Sequence, residues 1–371
     1  MQNSKKISSE KEFRINLNPF TQKRNYGFTY QNFENEELIS TFHYETEIIC
    51  DENDYSYAIF EINRKQIFID NQAPDLKMEQ LAHSCAQAIF PIRVKTNQEG
   101  EIVQIINHEA IKQRWTPIKE NVLNYYQGEI VQEIILKTEM VLLNQKKLQQ
   151  SIEKNWFFHL FFKPLYKSYN QNKPTVSIWE SPVFGNQNIK YEVHHTVEEN
   201  YSPTNKIFIN AKGKSIDERT IQEVLDKCNY PKSKMAEIES KPLDSEMEVQ
   251  YKLYGEDRSI FSIIATFKTQ ITAQKHKTIQ TEIYHLPENS SYRPESRKSM
   301  RENRDLWQYY QDKEDDDIID ITAKIRNAPP KPKIKPVYSE NRISLLVDDD
   351  EPIVEKANFW TRTKSIFNKN K

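Results

Sequence analysis

The chain has 371 residues, 37% of them hydrophobic, with 18 Phe, 19 Tyr and 5 Trp, so it can build a sizeable core and is not wholly disordered. Its 52 basic and 54 acidic residues nearly cancel to a formal net charge of -2, which leaves no overall field to draw nucleic acid or an anionic membrane. Three widely spaced cysteines, Cys50, Cys85 and Cys228, are not a disulfide framework and point to a reducing, cytoplasmic setting. The first residues carry Lys5, Lys6, Glu10, Lys11, Glu12 and Arg14 and no apolar run of signal-peptide length, so export is not expected. The longest apolar stretches, 130 to 143 and 156 to 166, are broken by charge or by Pro164 and fall short of the roughly 20 residues of a membrane helix.

Residues 1 to 12 are polar, and Phe13 to Leu17 and Tyr26 to Tyr30 read as the first strands. Residues 40 to 49 and 55 to 69 alternate apolar with polar about a turn at Asp51 to Asp54, which predicts an antiparallel pair. Met78 to Phe90 has helical spacing and is stopped by Pro91. Residues 92 to 106 form two alternating runs joined by Asn97 to Gly100, a hairpin signal, and a helix follows from Glu109 through Trp115. From Ile118 to Trp156 apolar residues recur in steps of three or four, a long helical region broken near Gly128 that ends in the aromatic block Trp156 to Phe162.

Strand patterns resume at 176 to 179 and 189 to 197. Residues 206 to 225 then read as strand, turn at Asn210 to Gly213, short strand and a helix capped by Asp217, which matches the order around Asn97 to Gly100 and suggests a duplication. Residues 246 to 286 alternate in three runs, a β-meander separated at Gly255 to Arg258 and Ala273 to His276. Beyond Pro287 the chain is polar, charged and proline-rich, the composition of a disordered tail. Two islands interrupt it, Asp305 to Tyr310 and Val354 to Phe367. The expected organisation is a flexible 1–12, an N-terminal α+β half 13–166, a C-terminal half 167–287 and a tail 288–371. The fold class is α+β, with antiparallel sheets from two halves packed on the long helical region.

No motif for catalysis, metal or cofactor stands out. His194 and His195 are strand neighbours and face opposite ways, so they do not chelate one ion. His83 and Cys85 stand two apart on a helix and point to different faces. Cys228 has a histidine partner only through tertiary contacts, and Glu45 and Glu47, on one strand face, read as solvated acids. The acids at 315 to 317 and 348 to 351 lack EF-hand spacing, and six glycines form no phosphate loop.

Two features point to binding. The block Trp156 to Phe162 is apolar nearly all round, so it is core, a partner groove or, with Trp156, Phe157, Phe161 and Ile134, the wall of an apolar cavity. The tail end carries Phe359, Trp360, Arg362, Lys364, Ile366 and Phe367, a basic aromatic peptide on a flexible spacer suited to docking on a protein partner, or less readily on a membrane surface. The reading is a non-enzymatic adaptor or accessory subunit. The alternatives are a carrier or sensor of an apolar small molecule held between sheet and helices, and a hydrolase without a recognisable motif.

Overall fold

Alternating apolar and polar side chains over 10 to 17 residues give this chain its long strands. The computed structural model describes residues 12–18, 23–170, 173–198 and 205–286. The first half runs β1 (Glu12–Arg14), β2 (Arg24–Glu34), β3 (Glu37–Asn53), β4 (Tyr57–Ile69), α1 (Lys77–Gln87), β5 (Ile92–Asn97) and β6 (Ile102–Ile105). Four helices follow in succession, α2 (His108–Tyr125), α3 (Glu129–Leu142), α4 (Gln145–Glu153) and α5 (Trp156–Phe161). The rest is β7 (Ser168–Asn170), β8 (Thr175–Phe184), β9 (Gln187–Glu198), β10 (Lys206–Ser215), α6 (Ile221–Leu225), α7 (Lys232–Met235), β11 (Ser245–Tyr254), β12 (Ile260–Thr272) and β13 (Lys275–Leu286).

The protein is α+β. Eleven strands form one antiparallel sheet in the order β6-β5-β4-β3-β2-β13-β12-β11-β10-β9-β8, and β1 pairs with β7 in a separate two-stranded sheet. The chain returns to its start when β13 pairs with β2, in the register Phe28 to Ile283. One face of the sheet is apolar and carries Tyr26, Phe28, Tyr44, Tyr251, Phe267 and Ile283, all in the main core. The other face is polar. Across it Glu192, Lys214, Glu246 and Lys268 lie side by side on β9 to β12, so each charge faces its opposite.

The β3–β4 pair, the β5–β6 hairpin and the β11–β12–β13 meander are present as expected. Asn97 turns the β5–β6 hairpin by accepting the Glu99 and Glu101 amides on its side chain, and Gly100 takes φ +93°. The long helical region breaks at Gly128, as expected, and twice more, where Asn144 and Asn155 cap new helices by accepting the Lys147 and Phe157 amides.

Two expectations are corrected. Asn210 to Gly213 is not a turn, because β10 runs unbroken from Lys206 to Ser215. Its glycine serves packing. A Cβ on Gly213 would stand 2.9 Å from Met247 Cγ and 3.0 Å from Val193 Cγ2, the neighbours on the two flanking strands. The strand, turn, strand, helix order therefore occurs around Asn97 and not around Asn210. The cap of α6 is Thr220, in a capping box with Glu223, and Asp217 instead grips buried Arg219 in a two-pronged ion pair.

No described helix is long and apolar enough to cross a membrane. The tail segments 305–310 and 354–367 lie outside the described residues.

Candidate functional site

Asn155 starts α5, and from this helix Trp156, Phe157 and Phe161 pack on the apolar face of the sheet. Phe157 is fully buried, 5.9 Å from Phe28 and 6.1 Å from Tyr44 between ring centres. Phe161 meets Tyr26 edge-on at 5.1 Å, and Trp156 lies 4.8 Å from Phe267 and 6.3 Å from Tyr30. Such tilted and edge-on pairs add to the burial term. Trp156, Phe157 and Phe161 are thus brought together, while Ile134 enters the same core from α3. At the rim Tyr30, Phe42 and Trp156 are only partly buried.

Where the chain leaves α5 it crosses the inner face of β8 and β9, and polar groups collect there. Lys163 Nζ sits 4.8 Å over the Trp179 ring, and Lys167 Nζ 5.8 Å from the Tyr169 ring. Trp179 and His195 are 5.3 Å apart, and Ser177 Oγ is 2.6 Å from His195 Nε2. Deeper in, His159 Nε2 is 3.1 Å from Ser181 Oγ. Burial, reinforced by Lys167, His194 and Lys163, pulls the His195 imidazole down to about 3. Burial likewise lowers Lys163 to about 7 and brings Lys167 down.

These surroundings decide what the Ser177–His195 pair can do. A base that activates serine must take up a proton, and here desolvation and two lysines oppose an imidazolium, with no carboxylate behind Nδ1 to support one. The pair is an anchored hydrogen bond and not a hydrolytic dyad. His194 faces the opposite way and meets Glu192 at 3.2 Å, as alternation requires. Cys85 is buried and its thiol is pushed up to about 11 by burial, which disfavours the thiolate. Glu47 pairs with Lys23 at 2.6 Å and Glu45 with Lys65 at 3.7 Å on the polar face. No cluster of three or more metal-ligating side chains occurs among the described residues.

An exposed apolar stripe lies on α3. Its core face carries Val131, Ile134, Ile135, Val141 and Leu142, yet Leu136, Met140 and Leu143 repeat at the same helical spacing on the outside, 61%, 50% and 51% exposed. Lys119 clamps α2 to this helix through Glu139 at 2.7 Å, and Leu123, one turn further along α2, is also exposed. The His108 ring meets the Leu142 carbonyl at 2.7 Å, which places Ile106, exposed at the end of β6, near the same end of the helix. Sequence reading missed this stripe because it counted one apolar face on α3 where there are two.

The free edge of the adjoining strand is covered. Gln145 and Gln149, one turn apart on α4, donate to the carbonyls of Ile105 and Val103 on β6, at 3.0 and 3.5 Å. A turn of helix and two residues of strand have similar lengths, so two amides can cap two edge carbonyls. On the polar face of the sheet a groove of about 700 Å³ is lined by Glu192, Glu246 and Glu248 against Lys212, Lys214 and Lys268, so its charges cancel.

No protein-family model matches the chain, and no curated protein does. Among solved structures, one described as "Lipid-protein interactions in lipovitellin" is similar with a TM-score of 0.35 and 12% identity, over 72% of this chain and 26% of that chain. The likeness spans about a quarter of that protein and is too distant to bear on what this chain binds.

Proposed function

We propose that the chain is a non-enzymatic interaction protein that docks a protein partner through the apolar stripe of α3. The observation that carries this reading is the exposure of Leu136, Met140 and Leu143 at positions i, i+4 and i+7 on a helix whose core face is already satisfied. A contiguous apolar stripe on an ordered helix is the form in which one helix is recognised by the apolar face of another. The occupant is therefore an amphipathic helix of a partner protein. The tail peptide, with Phe359, Trp360, Arg362, Lys364, Ile366 and Phe367, is proposed as a second contact on a long tether. Three free thiols support a reducing, cytoplasmic setting.

The test is a purified complex, compared for the native chain, for L136E/M140E and for deletion of residues 352–371. The reading requires the double variant to lose the partner and the deletion to weaken it. A partner held equally by all three forms contradicts both contacts.

One observation favours carriage of an apolar molecule as a second reading. The partly buried rim of Tyr30, Phe42 and Trp156 leads to the aromatic face where α5 packs, so a ligand entering there would displace α5 side chains. Native mass spectrometry of the freshly purified chain checks it. A ligand adduct that W156A loses supports carriage, and a clean apo mass opposes it.

A further inference from the structure

The large sheet ends in β6 on one side and in β8 on the other, and the two edges are finished differently. On β6 the side chains of Gln145 and Gln149 close the Ile105 and Val103 carbonyls. On β8 the direction of the backbone follows from the strand inside it. The Lys190 carbonyl on β9 accepts the Ile216 amide at 2.9 Å, and the Lys190 amide turns the same way, to Asp217 Oδ2 at 3.5 Å, so both groups face away from β8. Lys190 lies opposite Glu180, in a β8–β9 register unbroken from Thr175 to Ser181. Along an antiparallel strand the backbone polar groups alternate sides, so the amides and carbonyls of Val176, Ile178 and Glu180 point to the open side of β8. Among the described residues none of these groups has a hydrogen-bond partner.

An open edge is ordinarily protected by a lysine, a proline or a bulge within the strand. Thr175 to Ser181 holds no lysine, proline or bulge, and Pro174 and Pro182 stand just outside it. Instead Val176 and Ile178 are 53% and 66% exposed. Unpaired backbone groups beside two exposed β-branched side chains at alternate positions fit an extended strand with apolar residues at the same period. A helix, whose amides are already used, cannot fill such an edge.

We propose that the occupant is this chain's own segment Ile343 to Val347, added to β8 as an antiparallel twelfth strand. Within residues 287–371 this segment holds the one run of three successive apolar residues, and Ile343, Leu345 and Val347 recur at period two. Reach permits the pairing. β13 ends at Leu286, and five strand spacings, about 24 Å, separate β13 from β8. A random chain the length of residues 287–342 spans about 40 Å, which keeps the segment near the edge at roughly millimolar concentration. Charge sets the direction. An antiparallel strand that places Ile343 by Ile178 and Leu345 by Val176 carries Asp348 to Asp350 to the Lys173 end, whereas a parallel one sets those acids against Glu180. The contact lies at the opposite end of the sheet from β6 and needs no partner protein.

The experiment is amide hydrogen exchange of the full chain, read residue by residue by nuclear magnetic resonance, for the native chain, Leu345→Pro and Ile178→Lys. In the native chain the amides of Val176, Ile178 and Glu180 are expected to exchange about tenfold more slowly than in Leu345→Pro, at a rate independent of chain concentration. Ile178→Lys, on the exposed edge, is expected to release the amides of residues 343–347 by a similar factor. Circular dichroism checks the fold of both variants, and Val176→Lys replaces Ile178→Lys if that chain misfolds. Equal exchange at the β8 edge in the native and Leu345→Pro chains overturns the proposal. So does protection that survives Leu345→Pro and grows with chain concentration, which would assign the edge to a second copy.

Discussion

The Tyr251 hydroxyl donates to the Leu160 carbonyl at 3.1 Å, joining the middle of β11 to the last turn of α5 across 91 residues of sequence. Carbonyls in the last turn of a helix have no partner within the helix, and this one is buried. Tyr251 closes it from the opposite wall of the core.

Tyr251→Phe therefore leaves a buried carbonyl without a donor and is expected to cost about 1–2 kcal/mol. Phe157→Ala, which opens a void among Phe28, Tyr44 and Phe161, is expected to cost about 3–5 kcal/mol. Urea unfolding at equilibrium measures both. A cost under about 1 kcal/mol for Phe157→Ala would show that α5 is not part of the cooperative core.

Stability is expected to fall as pH drops below the ordinary histidine range. His195 ionises near 3 in the folded chain because burial and Lys167 oppose the charge, whereas the unfolded chain takes up that proton near 6.5. Between those values the unfolded state binds more protons, so acid favours unfolding, and the stabilisation present above pH 6.5 is lost towards pH 3. This one group contributes a slope of up to about 1.4 kcal/mol per pH unit. His195→Gln should flatten the profile between pH 6 and 4, and an unchanged slope would place the acid sensitivity elsewhere.

Gly213→Ala is expected to destabilise the chain by about 1–3 kcal/mol through overpacking, because Met247 and Val193 already touch the space a methyl group would fill. The same change at Gly128, which has nothing within 4 Å, is opposed only by its φ of +118°. Thermal unfolding of the two variants separates crowding from backbone conformation.

The period-two pattern made β3, β4, β11 and β12 legible, since each buries alternate residues over most of its length, and Asn97 with Gly100 gave the β5–β6 turn. The pairing of β2 with β13 was not legible. It joins the two ends of the described chain, and a non-local pairing leaves no periodic trace in sequence. Asn210 to Gly213 misled because a glycine needed for close packing in a strand looks the same as a glycine needed for a turn. At the candidate sites, Leu136, Met140 and Leu143 do carry a readable signal, a second apolar stripe on one helix. Lys163, Lys167, Ser177 and Trp179 carry none, because the segment after α5 and β8 must pack together before they meet.

The most direct test of the docking stripe is a photo-crosslinking residue placed at position 140 of the full chain, in native and Leu136→Glu backgrounds. The account predicts a discrete adduct of one chain with one partner polypeptide, absent in the Leu136→Glu background while folding, measured by circular dichroism, is unchanged. An adduct that persists in that background, or none in either, would contradict it.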